Sequence, residues 1–258
     1  RDPLWSRGLG DVYKRQVHNE EKQLESCLKT LSFGNELVVI LDKCTDKSRQ
    51  IAKKFTKKIF SGSWEIEGDR RNFGINKCNC DWILEIDSDE RIPKKLAKEI
   101  LEVIKTSKNS WHLINVNNYL GKKIIKNGWG AYIGKSSYAG LFKKDTKTWG
   151  KQRVHPKVFL KGKQGETLKN SIEHYYCKSI SDLINKLDSY STARAKDLKE
   201  KPDKENLLIN LRRIFSRFWK VFFLRKGYKE KSIGVVIALV ACLFPLISYL
   251  KYKFEQKK

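Results

Sequence analysis

Asp87 and Asp89 stand two residues apart at the end of the apolar run Trp82–Ile86. In an extended segment, side chains at i and i+2 point to the same side. Two hard oxygen ligands on one side, with coordination positions left open, suit a divalent cation that also holds phosphate oxygens. The implied chemistry is the handling of a metal–diphosphate. The same residues also read as a strand followed by an acidic turn, because Asp and Ser are common turn residues. The surrounding elements decide between the two readings.

Those elements alternate. Residues 20–31 read as a helix, with Asn19 as N-cap and Leu24, Leu28 and Leu31 on one face. Residues 36–41 read as a short apolar strand. A helix opened by Thr45 or Asp46 then runs to Phe55, and a brief strand follows at 58–60. A helix over 68–77, the strand Trp82–Ile86 and a helix from near Pro93 to Thr106 complete the pattern. Alternation of this kind predicts an α/β fold: a mostly parallel sheet with helices on both faces. Beyond 111–117 the pattern changes to short irregular runs with strand-like pieces at 138–143 and Val158–Leu160, which fits loops and an antiparallel extension. A helix returns at 179–198.

Three further features follow the pattern, and the first two of them fall at the same kind of position as the Asp pair. His18-Asn19-Glu20-Glu21 opens the first helix, Asp42 to Ser48 follows the second strand, and Asp69-Arg70-Arg71-Asn72-Phe73-Gly74 lies in the third helix. Ligands of open α/β sheets bind outside the carboxyl ends of the strands. Taken singly, each has a plainer reading. Asn19 and Thr45 serve as N-caps, Asp42 ends a strand, and Arg70 and Arg71 form a solvated helix face. Guanidinium also suits bidentate contact with phosphate.

Bulk composition narrows the partners. The chain has 258 residues, with 54 Lys and Arg against 29 Asp and Glu, a net charge of +25. That excess calls for an anionic partner: nucleic acid, an acidic lipid surface or a phosphorylated substrate. No nucleic-acid-binding motif is recognisable, so nucleic acid is not expected. The six cysteines, Cys27, Cys44, Cys78, Cys80, Cys177 and Cys242, form no C-x-x-C pair and fit a reducing cytoplasm. Residues 1–16 show neither strand alternation nor a helical stripe and resemble translated adapter sequence. They are excluded from the expected fold as a non-native scar, so that coherent protein begins near Val17 with part of a first strand missing.

The chain closes on two membrane-directed signals. Leu211, Ile214, Phe215, Phe218, Trp219 and Phe222 recur at helical spacing among Arg212, Arg213, Arg217 and Lys220, the pattern of an amphipathic helix on an acidic bilayer. Residues 233–250 carry no charge; as a helix they measure about 27 Å at ~1.5 Å per residue, near the thickness of a bilayer core. A core helix of the folded protein has the same composition. Lys on both flanks leaves orientation, and spanning versus in-plane attachment, open.

In order, Asn19-Glu20-Glu21, Asp42 with Thr45-Asp46 and Ser48, Arg71-Asn72-Phe73-Gly74 and the run from Asp81 to Glu90 resemble the signature of glycosyltransferase family 2, over residues 17–100. Arg153-Val154-His155, His174-Tyr175 and a helix with Leu187 and Tyr190 resemble its lipopolysaccharide-core β-glucosyltransferase subgroup. The resemblance implies a GT-A fold divided into a nucleotide-sugar-binding half at 17–118, an acceptor-side region at 119–200 and a membrane-associated tail at 207–258. It places Asn19 and Glu20 by the nucleotide, Asp42 on the base, and Arg71 on the base or diphosphate. Asp87 faces the ribose and metal, and Asp89 ligates Mg2+ or Mn2+. The general base of an inverting transfer falls to His155 or Glu173, with Asp145 behind them; where the subgroup carries Glu after the His, this chain has Pro156.

The implied activity moves a hexose, such as glucose from a UDP-hexose, to a cell-envelope glycan or other glycolipid acceptor. It would work at the cytoplasmic face of a bacterial inner membrane, against an anionic lipid surface. Transfer to polyprenyl phosphate, and a membrane scaffold that has lost catalysis, are the alternatives.

Overall fold

The computed structural model describes residues 11–17 as backbone, and residues 20–129, 134–153, 155–200 and 205–255 in full. In chain order the first elements are β1 (Asp11–Val17), α1 (Glu21–Lys29), β2 (Glu36–Asp42), α2 (Ser48–Lys53), β3 (Ile59–Gly62), α3 (Glu67–Asn76) and β4 (Trp82–Ile86). Then come β5 (Glu90–Arg91), α4 (Lys94–Thr106), β6 (Trp111–Leu120), β7 (Lys123–Ile125), β8 (Ser137–Lys143), β9 (Lys147–Trp149), β10 (Val158–Leu160) and β11 (Leu168–Cys177). Three helices follow: α5 (Ile180–Glu200), α6 (Leu207–Trp219) and α7 (Ser232–Phe254).

The main sheet runs in the order β3-β2-β1-β4-β8-β6-β11-β5, with β7 beside β6. It is mixed. β3, β2, β1 and β4 are parallel, while β8 meets β4 and β6 in antiparallel fashion. The antiparallel extension expected after 111–117 is therefore part of the same sheet. β2 reads Val38-Val39-Ile40-Leu41, the unbroken apolar run of a strand covered on both faces. Val39 and Leu41 pack toward α1, α2 and α4, against Leu24, Leu28, Ala52, Leu96 and Ile100. Val38 and Ile40 pack on the other face, with Ile75 of α3 and with Ile83 and Phe142. Helices thus cover both faces, as the α/β pattern predicts. In α4 the apolar residues Leu96, Ile100 and Ile104 recur every fourth position and supply its buried stripe. Full burial of Leu96 or Ile100 is worth roughly 1.5–3 kcal/mol each.

One expectation is corrected. The sequence excludes residues 1–16 from the fold, but Asp11–Val17 form β1, hydrogen-bonded between β2 and β4. Parallel neighbours on both sides specify such a strand through its backbone groups, so it needs no alternating side-chain signature; Val12, Tyr13 and Val17 have the required β-propensity. Residues 1–10 lie outside the described part. The chain also groups into two compact units, each drawn from non-contiguous segments. One compact unit contains the chain up to Val116, Ser137–Lys151 and Pro156–His174, and the other contains Asn117–Ser136, Gln152–His155 and Tyr175–Lys258. Strand pairing distributes the middle region between the two, and the tail shares a core with residues from that region.

In the second unit, Leu120, Ile125, Trp129, Tyr176, Leu183, Val221, Ile237 and Ala241 form one core. Glu230 is buried and accepts hydrogen bonds from the Lys126 and Asn127 amides, at 3.0 Å each, and from Asn127 Nδ2 at 2.8 Å. This fastens the turn before α7 to the segment after β7.

In the first unit the loop after β2 is tied to the head of α1. Asp46 Oδ2 accepts from the Glu21 amide at 2.9 Å, and Oδ1 from the Ser48 amide at 3.0 Å. The Lys47 amide donates back to Glu21 Oε2 at 3.2 Å. Asp46 therefore caps two helix starts at once. Burial pushes its pKa upward, but the hydrogen bonds from Ser48 and the Glu21 amide outweigh that and hold it below the ordinary value of 3.8. A carboxyl depressed on folding stabilises fully above its unfolded pKa, and that contribution is lost as pH falls through the lower folded value. Asp46→Asn should lower the melting temperature at neutral pH by about 2 °C. The gap between the melts of wild type and variant should narrow as pH falls below 3.8 and close below the lower folded value; a gap that stays constant from neutral to strongly acid pH would refute the charged cap.

Candidate active site

Strand alternation aims the acidic residues. Val38 and Ile40 face α3, so Asp42, two residues on, continues that face. In β4, Ile83 faces α3, and Glu85 and then Asp87 follow it by the same period. The registers align the exits. Val17 of β1 pairs with Leu41, and Lys14 pairs with Ile86. The carboxyl ends of β1, β2 and β4, with Asp42 and Asp87 at the last two, therefore lie at one edge of the sheet, where ligands of open α/β sheets bind.

At that edge Asp42 is buried. Its Oδ1 accepts the Trp64 amide at 3.1 Å, and Oδ2 forms an ion pair with Arg70 Nη1. Arg71 turns elsewhere. It pairs with Glu67 and, at 3.3 Å, with Glu85 Oε1, and its guanidinium lies 4.2 Å from the centre of the Trp149 ring. Lys147 Nζ reaches Glu85 Oε2 at 2.5 Å. The inward face of α3 is thus cationic because two acidic strand residues meet it. The solvated-face reading of Arg70 and Arg71 does not hold, since both are buried. Asn72 exchanges two hydrogen bonds with the Trp149 backbone, at 2.9 and 2.8 Å.

The turn from Asp87 to Glu90 is held through its backbone. The Asp87 amide donates to Glu90 Oε2 at 2.9 Å, and the Glu90 amide to the Asp87 carbonyl at 3.1 Å. Arg91 Nη1 donates to the Ser88 and Glu90 carbonyls at 2.8 and 2.7 Å, and Nη2 to the Gln23 carbonyl of α1 at 3.0 Å. Tyr138 adds a hydroxyl bond to Glu90 Oε2 at 3.2 Å. β11 then brings in a residue that stands out in the sequence only as part of a diffuse resemblance. His174 pairs in register with Glu90, and its Nε2 lies 3.3 Å from Asp89 Oδ2.

The spacing of that pair suits the implied cation. Two ligands at right angles on an ion, each at ~2.1 Å, stand about 3 Å apart. A carboxylate oxygen and an imidazole nitrogen at 3.3 Å fit this geometry; the carboxylate suits Mg2+ or Mn2+, while imidazole is more typical of the later transition metals. Among the described residues no group of three or more His, Cys, Asp or Glu side chains surrounds such a position. A cation held here would need its remaining ligands from phosphate oxygens and water, as these ions commonly take them.

The other expected residues lie as follows. Asn19 lies outside the described residues. Glu20 stands at the head of α1, its amide donating to Ser48 Oγ at 3.3 Å. Glu173 is half-buried on β11 and lies opposite Arg91. Asp145 sits exposed in the turn between β8 and β9 at φ +63°. His155 belongs to the second unit, where its ring packs edge-on against Tyr190, centroids 5.3 Å apart, and lies 6.4 Å from Phe244. In the same unit Arg153 pairs with Asp197 and Glu200; the hydrogen bond it donates to Glu200 is the main cause of its raised pKa. Sequence reasoning misses Arg70 as the partner of Asp42. The available signal is that an acidic strand end covered by α3 needs a cation, which only a basic residue of that helix turned inward can bring.

A model of the family described as Glycosyl transferase family 2 matches residues 16–157. A Rickettsia bellii protein named as an uncharacterized glycosyltransferase is 26% identical over 238 residues, covering 86% of this chain and 79% of its own. A Rickettsia typhi protein of similar name is 28% identical over 250 residues, with the same shares of 86% and 79%. The lipopolysaccharide core biosynthesis glycosyltransferase LpsC of Rhizobium meliloti is 22% identical over 197 residues, covering 69% of this chain and 67% of its own.

The Asp42–Arg70 pair yields a direct test. Arg70→Met leaves a buried carboxylate without its cation and should cost about 3–5 kcal/mol in a denaturant titration. Adding Asp42→Asn should recover a large part of that loss. Strict additivity in the double-mutant cycle would show that the two side chains do not depend on each other.

Proposed function

The chain belongs to glycosyltransferase family 2, and on that premise we propose that it transfers a hexose from a UDP-sugar to a phosphorylated cell-envelope glycan of the lipopolysaccharide-core kind. It is a glycosyltransferase with a GT-A fold; the proposal concerns donor, metal, acceptor and place. The observation that carries it is that Asp42–Arg70 and Asp89–His174 both lie where parallel strands β2 and β4 end, on one edge of the sheet. The similarity to LpsC supports the acceptor class, as does a net charge of +25, which favours an anionic glycolipid. The basic, amphipathic α6 supports work at the cytoplasmic face of a bacterial inner membrane.

In this reading Asp42 receives the base, its charge and orientation held by Arg70. Glu20 borders the nucleotide at the head of α1, where backbone amides favour an anion, and Asn19, its neighbour in sequence, has the same role. Arg71, expected on the base or diphosphate, acts instead through Glu85 by keeping α3 and β4 together. Asp87 faces the ribose. Asp89 and His174 hold Mg2+ or Mn2+, which when bound neutralises the charge that builds on the departing diphosphate. The acceptor hydroxyl loses its proton to Glu173 or His155. The variant among Glu173→Gln and His155→Ala that loses kcat while keeping UDP affinity identifies the base.

The decisive measurement is sugar transfer from a panel of UDP-hexoses to lipopolysaccharide-core and polyprenyl-phosphate acceptors, with Mn2+ or Mg2+ present. Asp89→Ala and His174→Ala should each lower kcat/KM by about 10²–10³ and abolish metal-dependent UDP binding in a thermal-shift assay. Undiminished transfer in Asp89→Ala would reject the metal–diphosphate reading. Transfer to polyprenyl phosphate alone would replace the acceptor.

A further inference from the structure

α7 has the length and composition of a membrane span: 23 residues, with a mean hydropathy of 2.6 over its best 18. Its packing says otherwise. Half of that window is buried within the protein. Ile237, Ala238 and Ala241 are fully buried, in a core shared with Leu183, Leu187, Phe218 and Phe222. Near its end, Lys251 Nζ bonds the Asp188 carbonyl at 3.0 Å, Asp188 Oδ1 at 2.6 Å and Thr192 Oγ1 at 2.7 Å, all on α5. α5 is charged at eight of its 21 positions. A helix of that composition cannot accompany α7 through hydrocarbon. While α5 and α7 stay packed, α7 is a core helix.

α6 presents the surface that α7 does not. Asn206 caps it, its Oδ1 accepting the Ile209 amide at 2.8 Å. Phe218 turns inward to the core of the second unit. Leu208, Leu211, Phe215, Trp219 and Phe223 recur every three or four residues on the outside, Phe215 at 77% exposure and Trp219 at 57%. Between residues 207 and 231 there are eight Lys and Arg against one acidic residue, Glu230. Glu230 is buried and occupied by the Lys126 and Asn127 amides. The outer surface of this stretch is thus aromatic and cationic, with no exposed carboxylate. A second copy of the chain would bring like charge against like charge.

We infer that the outer face of α6 docks in the plane of an anionic lipid bilayer. Phe215 and Trp219 enter the boundary between headgroups and acyl chains, Arg212 and Lys220 lie against lipid phosphates, and α7 stays above the membrane in the protein core. This goes beyond the catalytic reading and does not depend on it.

The test is co-sedimentation of the full chain with phosphatidylcholine vesicles and with vesicles rich in phosphatidylglycerol, joined to alkaline carbonate extraction of cell membranes. Binding should require phosphatidylglycerol, weaken with salt and yield to carbonate. Phe215→Glu with Trp219→Glu should weaken it about tenfold or more, and Arg212→Glu and Lys220→Glu about fivefold per charge removed. These positions are exposed, so circular dichroism should be unchanged. Carbonate-resistant protein that keeps its partition in the Phe215/Trp219 variant would overturn the proposal in favour of a spanning α7. Absence of vesicle binding, or a dimer lost in that variant, would overturn it in favour of another occupant.

Discussion

Glu85 is a fully buried carboxylate in the middle of β4. An isolated charge is expelled from such a place, so β4 can hold its position only with partners that bring the opposite sign. Arg71 arrives from α3 and Lys147 from β9, and Lys147 also bonds the Ala139 carbonyl of β8 at 2.7 Å. One acidic group thereby ties a helix to three strands. The rotation of α3 that seats Arg71 on Glu85 also turns the preceding residue, Arg70, toward Asp42. The two ion pairs are one arrangement, and the exit of β4 toward Asp87 and Asp89 follows from it.

Much of this is legible in the amino-acid sequence alone. β4 lies where its apolar run predicts, the helices after β1, β2, β3 and β4 fall within a few residues of expectation, and the acidic strand ends meet at one edge. The misses share a cause. β1 lacks an alternating signature because its specification comes from neighbours. β11 carries Asn170, His174 and other polar residues where apolar ones would have marked a strand, so the sequence gives no sign of its pairing with β5. The adjacent arginines look equivalent in the sequence; only the helical turn between them, set against Asp42 and Glu85, gives each its own carboxylate.

The tail shows the complementary limit. An uncharged run of helical length has one composition whether it meets lipid or protein. What separates the two outcomes is the neighbour, and here the neighbour is the charged helix α5, anchored by Lys251 on Asp188 and Thr192. The amphipathic signature of α6 does mark a surface helix. Its aromatic residues nevertheless divide between an inner and an outer face, and hydrophobic spacing alone does not show that division.

The family match stops at residue 157, whereas His174 lies seventeen positions later in the chain and pairs with a loop 85 residues before it. An excised segment trimmed to that homology boundary would keep both aspartates yet lose the imidazole beside them. The strand that delivers it is also among the last of the sheet to be synthesised, so a nascent chain brings His174 to Asp89 only after most of its scaffold already exists.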